Sequence, residues 1–203
     1  MRKRNFLFGV IFLCTPLLFS QNIGFNFGLN YSRQFNKTLS SNEAFDRFGS
    51  RMGIRLGVDY KAKIATSLFF MTGVNFNQKG DNVDANEENT NRVLENKLRL
   101  NYLELPITFL IVSDDRPRSP YVQIGCYGAY RINGKFDDVD FAVEDFLKKL
   151  DIGASLAVGY SFKPYSIGLG YDLGISDLFD FSEAPIETRN GNFQLTFRYW
   201  PSF

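Results

Sequence analysis

Six charged residues, Arg55, Asp59, Glu104, Arg131, Asp172 and Arg198, stand in stretches where bulky apolar residues alternate with small or polar ones, and each falls on the small, polar parity. Three carboxylates and three guanidiniums facing one interior could relay protons or ions. They could equally pair into an electrostatic plug, because a charge taken out of water needs a countercharge or a hydrogen-bonding partner. The chain has no histidine, so the side chain best suited to general base work near neutral pH is missing, and a carboxylate-only mechanism is what stays open. No catalytic, cofactor-binding or metal-ligating set is assigned. Glycine runs such as "GASLAVG" alternate as a strand does and lack the helix and Lys-Ser/Thr pair of a phosphate loop. The acidic stretch carrying Asp81, Asp84, Glu87, Glu88 and Glu95 shows no EF-hand spacing. A solvated acidic loop and a calcium site both fit it.

The elements that must position these charges repeat one pattern. In "IGFNFGLNY", residues 23–31, Ile, Phe, Phe, Leu and Tyr share one parity while Gly and Asn share the other. A period of two marks a strand with unlike faces. Seven further stretches behave alike, within residues 52–60, 66–76, 103–111, 122–132, 152–162, 165–175 and 193–199, and none carries a charge on its bulky parity. A soluble barrel would turn that face inward and show water Lys, Glu and Thr. Here the other face is rich in Gly, Asn and Ser, which weakens strands exposed to water but suits the inside of a narrow barrel. The bulky face is therefore expected to meet lipid.

Link lengths agree. Long stretches ("NKTLSSNEAFDR", "KGDNVDANEENTNRVLEN", "NGKFDDVDFAVEDFLKK", "DLFDFSEAPIETRN") alternate with short ones ("KAK", "SDDRPRSP", "KP"). The fold expected is all-β: an eight-stranded antiparallel up-and-down transmembrane β-barrel with short periplasmic turns and long extracellular loops. In the third long loop, residues 140–150 place Val143, Phe146, Leu147 and Leu150 at helical spacing; a short helix and a strand extension both fit.

Residues 1–20 have the order of a secretory signal peptide: a basic tip at Arg2, Lys3 and Arg4, an apolar run over residues 6–19, and Ser20 before Gln21. Its removal leaves residues 21–203 as one barrel domain with 20 basic against 22 acidic residues and Cys126 alone, so no internal disulfide can form. This balance gives no support to nucleic-acid binding. Phe203 ends the chain on the outward parity of residues 193–199 and is read as an insertion signal for the barrel-assembly machinery. The short link between the fourth and fifth strands sets Val112 opposite Tyr121. Glu104 is then opposite Ala129 and diagonal to Arg131, with which it is expected to pair. Pro106, which has no N–H, is expected to mark a bulge or a local bend that aims Glu104 inward.

From "LNYLELPITFLI" through "SPYVQIGCYGAY", "DIGASLAVGY" and "IGLGYDLGISDLFD" to "NGNFQLTFRYW", the sequence resembles the PorT-like outer-membrane β-barrel family common in Bacteroidota. Its most specific element is Tyr102-Leu103-Glu104-Leu105-Pro106, followed by the Tyr-x-x-Gly segment from Tyr171 to Gly174. The resemblance implies residence in the outer membrane among lipid and lipopolysaccharide. It also implies a non-enzymatic role in structure, adhesion or assembly through the outer loops, with other envelope or secretion proteins as partners and a link to type IX secretion. A small-solute transport barrel and a secreted soluble carrier barrel are the alternatives.

Overall fold

The computed structural model describes residues 22–38, 50–86, 93–113, 117–136, 148–176 and 186–201. Residues 1–20, Phe203, Glu87, Glu88 and residues 140–147 of the expected helix over 140–150 lie outside the described residues, while Leu150 at its end begins a strand. The side chains of Asp81, Asp84 and Glu95 lie outside as well.

Eight strands form one closed barrel: β1 (Ile23–Thr38), β2 (Ser50–Ala65), β3 (Leu68–Asn86), β4 (Val93–Val112), β5 (Arg118–Phe136), β6 (Leu150–Phe162), β7 (Tyr165–Gly174) and β8 (Ile186–Tyr199). Each pairs antiparallel with the next, and β8 closes on β1 from Phe25↔Tyr199 to Thr38↔Ile186. The parity expected from the sequence holds around the wall. Phe27, Ile54, Val74, Ile107, Ile124, Leu156, Leu169 and Leu195 point outward and are exposed, while the six interior charges are buried. Outward aromatics gather at both edges of this band: Tyr165 stacks on Phe197 and leans on Tyr199 near the short turns, and Tyr171 packs on Phe193 at the other edge. Such girdles sit at the two lipid–water boundaries. An apolar belt all around the outside is far larger than a soluble monomer shows. The barrel is therefore expected to refold to a monodisperse species in detergent or lipid only; a folded monomer in plain buffer, seen by size-exclusion chromatography and circular dichroism, would contradict the membrane reading.

Three local expectations are corrected. The "KAK" link lies inside β2, and the turn falls at Thr66 and Ser67, so β3 begins at Leu68 rather than residue 66. The slip arises because Ala62 and Ala65 continue β2 through a register shift between Lys63 and Ala65. The second long loop is largely strand: the β3–β4 ladder continues from Leu68↔Ile111 out to Asn86↔Val93. There the sequence no longer places bulky apolar residues on the outward parity, so pairing goes on where the alternation that reveals it has ended. Pro106 causes no bulge. The β4–β5 irregularity is at Asn101 and Tyr102, whereas Pro106 pairs with Tyr127 in an unbroken run. What its missing N–H costs is local: the β3–β4 ladder skips from Thr72↔Ile107 to Asn75↔Glu104 without changing register, and Thr72 Oγ1 donates to the Pro106 carbonyl at 2.8 Å.

Candidate functional site

The inward parity of all eight strands builds one lumen, and its charges are joined in two groups. Nearer the periplasmic turns, Arg198 Nε donates to Asp59 Oδ2 at 3.0 Å, its Nη1 to the Tyr121 hydroxyl at 3.3 Å and its Nη2 to Gln123 Oε1 at 3.2 Å. Toward the outer mouth, Arg55 Nη1 meets Glu104 Oε1 at 2.9 Å and Gln194 Oε1 at 2.7 Å, with Asp172 at 3.8 Å. Gln194 Nε2 donates in turn to Asp172 Oδ2 at 2.6 Å. Glu104 Oε2 accepts from Asn77 Nδ2 at 2.8 Å and faces Lys79 Nζ at 3.4 Å. Lys79 reaches on to Asp151 at 3.1 Å, which also accepts from Asn190 at 3.0 Å. Its ammonium lies 4.3 Å from the centre of the Tyr127 ring, an added cation–π contact.

Polar side chains of β1 and β3 meet directly although β2 runs between them. Asn26 Nδ2 donates to Asn75 Oδ1 at 2.6 Å, and Asn30 Nδ2 to Asn77 Oδ1 at 2.5 Å and to the Gln78 carbonyl at 2.8 Å. Gly57 and Gly53 of β2 make this possible. A Cβ on Gly57 would strike Asn75 Oδ1 and come within 2.5 Å of the Val74 carbonyl, and one on Gly53 would strike the Gln78 carbonyl. At the outer end β3 therefore passes across the lumen side of β2: the Ser32 hydroxyl donates to the Gly80 carbonyl at 2.7 Å and accepts from the Gly80 N–H at 2.9 Å.

Two apolar clusters pack against the network. Leu98, Leu100, Tyr102, Tyr127 and Ala129 pack together toward the outer mouth; Leu110, Val112 and Tyr121, with Phe69 against them, pack near the periplasmic turns. Trp200 covers that lower end. Its N–H donates to the Pro164 carbonyl at 2.8 Å, its ring occupies the space a Gly24 side chain would need, and Lys61 Nζ lies 4.1 Å from the ring centre. Between the Arg55 and Arg198 groups a gap of about 20 Å³ remains, room for about one water molecule. An eight-stranded lumen is filled by its side chains, and this one is.

Every site residue read from the sequence that lies in the described part faces the lumen. Glu104 stands opposite Ala129 and Val112 opposite Tyr121, as expected. The expected Glu104–Arg131 pair is replaced, because both Glu104 oxygens turn toward β3 and β2, to Asn77, Lys79 and Arg55, rather than toward β5. Arg131 sits opposite Tyr102, and its backbone N–H donates to the Lys149 carbonyl at 2.7 Å. Lys79 and Asp151, 1% and 0% exposed, were missed by sequence reasoning. The signal was present: Asn75, Asn77 and Lys79 follow at steps of two, and Asp151 precedes Gly153 and Ser155 on the inward parity. The carboxylates are taken up by cations and amides, and among the described residues no group of three or more His, Cys, Asp or Glu side chains is placed to hold a metal ion.

Residues 19–180 match the outer membrane protein beta-barrel domain. The chain belongs to that family. As a member of the family it resides in the outer membrane, and the lipid-facing belt and twin aromatic girdles are what that location requires. No curated protein matches the sequence. Among solved structures this outer-membrane barrel is similar to OprG from Pseudomonas aeruginosa, at 9% identity and a TM-score of 0.51, covering 88% of this chain and 95% of that one. It is likewise similar to the outer membrane enzyme PagL, at 11% identity and a TM-score of 0.50, covering 86% of this chain and 99% of that one. At such identities the likeness is one of fold.

Proposed function

We propose that this outer-membrane barrel is a non-conducting, non-enzymatic scaffold. On this reading it serves structure, adhesion or assembly through the strands and loops it raises outside the cell, within the machinery of type IX secretion. The observation that carries the reading is the filled lumen: Lys79, Glu104, Asn75 and Asn192 are at most 1% exposed, and apolar clusters pack beside the charged layer and near the periplasmic turns. The fold alone leaves catalysis open, since an outer membrane enzyme shares it. Support for a non-enzymatic role comes from the absence of histidine in the chain and from carboxylates committed to structural pairs. The type IX link rests on the Tyr102–Pro106 and Tyr171–Gly174 segments and on the signal-peptide reading of residues 1–20.

Two measurements test this. In planar bilayers the refolded barrel is expected to show no stable conductance steps, and ion flux that survives reconstitution at low protein density would favour the solute-transport reading instead. In the native cell, surface cross-linking is expected to capture other envelope proteins, and loss of the gene to lower export of type IX cargo. Undiminished export would remove the secretion link while leaving the scaffold role standing.

A further inference from the structure

The wall of the barrel parts between β2 and β3. Their ladder ends at Arg55↔Asn77, yet β2 continues to Ser50 and β3 to Asn86. Because β3 passes on the lumen side of β2, the inner face of one lies over the outer face of the other. Arg51 occupies that overlap. A Cβ on Gly80 would be 2.9 Å from Arg51 Cδ, so the arginine arm lies on the bare Gly80 surface. Arg99 is the register partner of Gly80, and directly opposed residues share a face. Arg99 is also the neighbour whose charge acts on Arg51. Nε and Nη1 of Arg51 are shielded from solvent with no hydrogen-bond partner. Among the side chains that are described, no carboxylate is paired with Arg51 or Arg99.

Two guanidiniums brought together without a counter-ion are costly unless an acceptor arrives from outside, and the fork of N–H groups they present matches a tetrahedral oxyanion. We propose that Arg51 and Arg99, laid over Gly80 where β2 and β3 part, form a binding site for a phosphate group at the outer rim. The height of the site narrows its source. Met52, next to Arg51, pairs with the outward aromatic Tyr31, which places the guanidiniums at the outer lipid–water boundary, level with headgroup phosphates.

The test titrates the purified full-length barrel in non-ionic detergent, by calorimetry, with inorganic phosphate and, in mixed micelles, with diphosphoryl lipid A or its dephosphorylated form. Phosphorylated lipid A is expected to bind about tenfold tighter than the dephosphorylated form. Arg51→Met and Arg99→Gln are each expected to weaken it by about tenfold or more, as loss of one partner of a charge pair does. Lys163→Gln, at the opposite rim, should change nothing. If inorganic phosphate binds as well as the lipid and is lost in the same two variants, the site stands and its ligand is soluble phosphate. A second readout separates binding from folding: without anion, Arg51→Met is expected to unfold at higher urea than wild type, because a shielded unpaired charge has been removed. Added phosphate ligand should raise the wild-type midpoint and leave that of the variant in place. Equal binding by wild type and Arg51→Met overturns the proposal, as does a lower anion-free midpoint for Arg51→Met.

Discussion

Glu104→Gln is expected to lower the stability of the refolded barrel by about 3–5 kcal/mol, the usual range for removing one partner from a buried charge pair, measured as a fall in the urea midpoint in detergent. The substitution keeps shape and hydrogen-bonding capacity but withdraws the charge that Arg55 meets at 2.9 Å and Lys79 at 3.4 Å. Arg55 is left with Asp172 at 3.8 Å, a longer contact, and Lys79 with Asp151. Adding Lys79→Met to Glu104→Gln should recover part of the loss, since the second change removes the cation that the first has stranded. A double-mutant cycle should give larger coupling of Glu104 to Lys79 than to Arg131. The reverse order would mean that the carboxylate is held toward β5 rather than toward β3. Neither variant is expected to open a conductance, because each keeps a side chain of similar volume in the lumen.

Gly57→Val should be nearly as damaging, for a steric reason. The added Cβ would meet the Asn75 amide, which would have to turn aside, and two backbone atoms of β3 that cannot, the Val74 carbonyl at 2.5 Å and Asn75 Cα at 2.8 Å. Forced repacking of this kind costs about 1–3 kcal/mol. Losing the Asn26–Asn75 hydrogen bond with both amides still buried adds about 1–3 kcal/mol. The expected result is a barrel that folds in lower yield and loses its resistance to unfolding on a cold gel. A Gly57→Val barrel as stable as wild type would mean that β1 and β3 do not meet in front of β2. Gly128→Val serves as the control, since a Cβ there meets nothing within 4 Å.

The wall was legible in the sequence and the wiring inside it only in part. Lipid is a uniform solvent and imposes one rule on every outward residue, so Phe25, Phe27 and Leu29 can be placed without knowing what their neighbours are. The β4–β5 register was legible as well, because the short link from Ser113 to Pro120 leaves little freedom. Partners within the lumen follow a different logic. Arg55 on β2, Glu104 on β4 and Asp172 on β7 converge because the sheet curves shut, and curvature depends on the whole set of strands rather than on any local pattern. That is why Glu104 was matched with a diagonal neighbour on the adjoining strand. Lys79 was hidden for another reason: the stretch "KGDNVDANEENTN" has the composition of a loop, although its backbone keeps the β3–β4 ladder.

Closure of the barrel also dictates an order of events during biogenesis. Arg198 on β8 binds Asp59 on β2, and Gln194 on β8 binds Arg55 on β2, each pair separated by 139 residues of chain. Contacts so remote in sequence form late and slowly. Until the ribosome has released β8, Arg55 and Asp59 lack these partners, and a partly built sheet that entered lipid would carry their charges on an unclosed face. The nascent chain must therefore cross the periplasm unfolded and complete its circle as it inserts, so that the last strand synthesised is the one that lets the second strand enter the membrane.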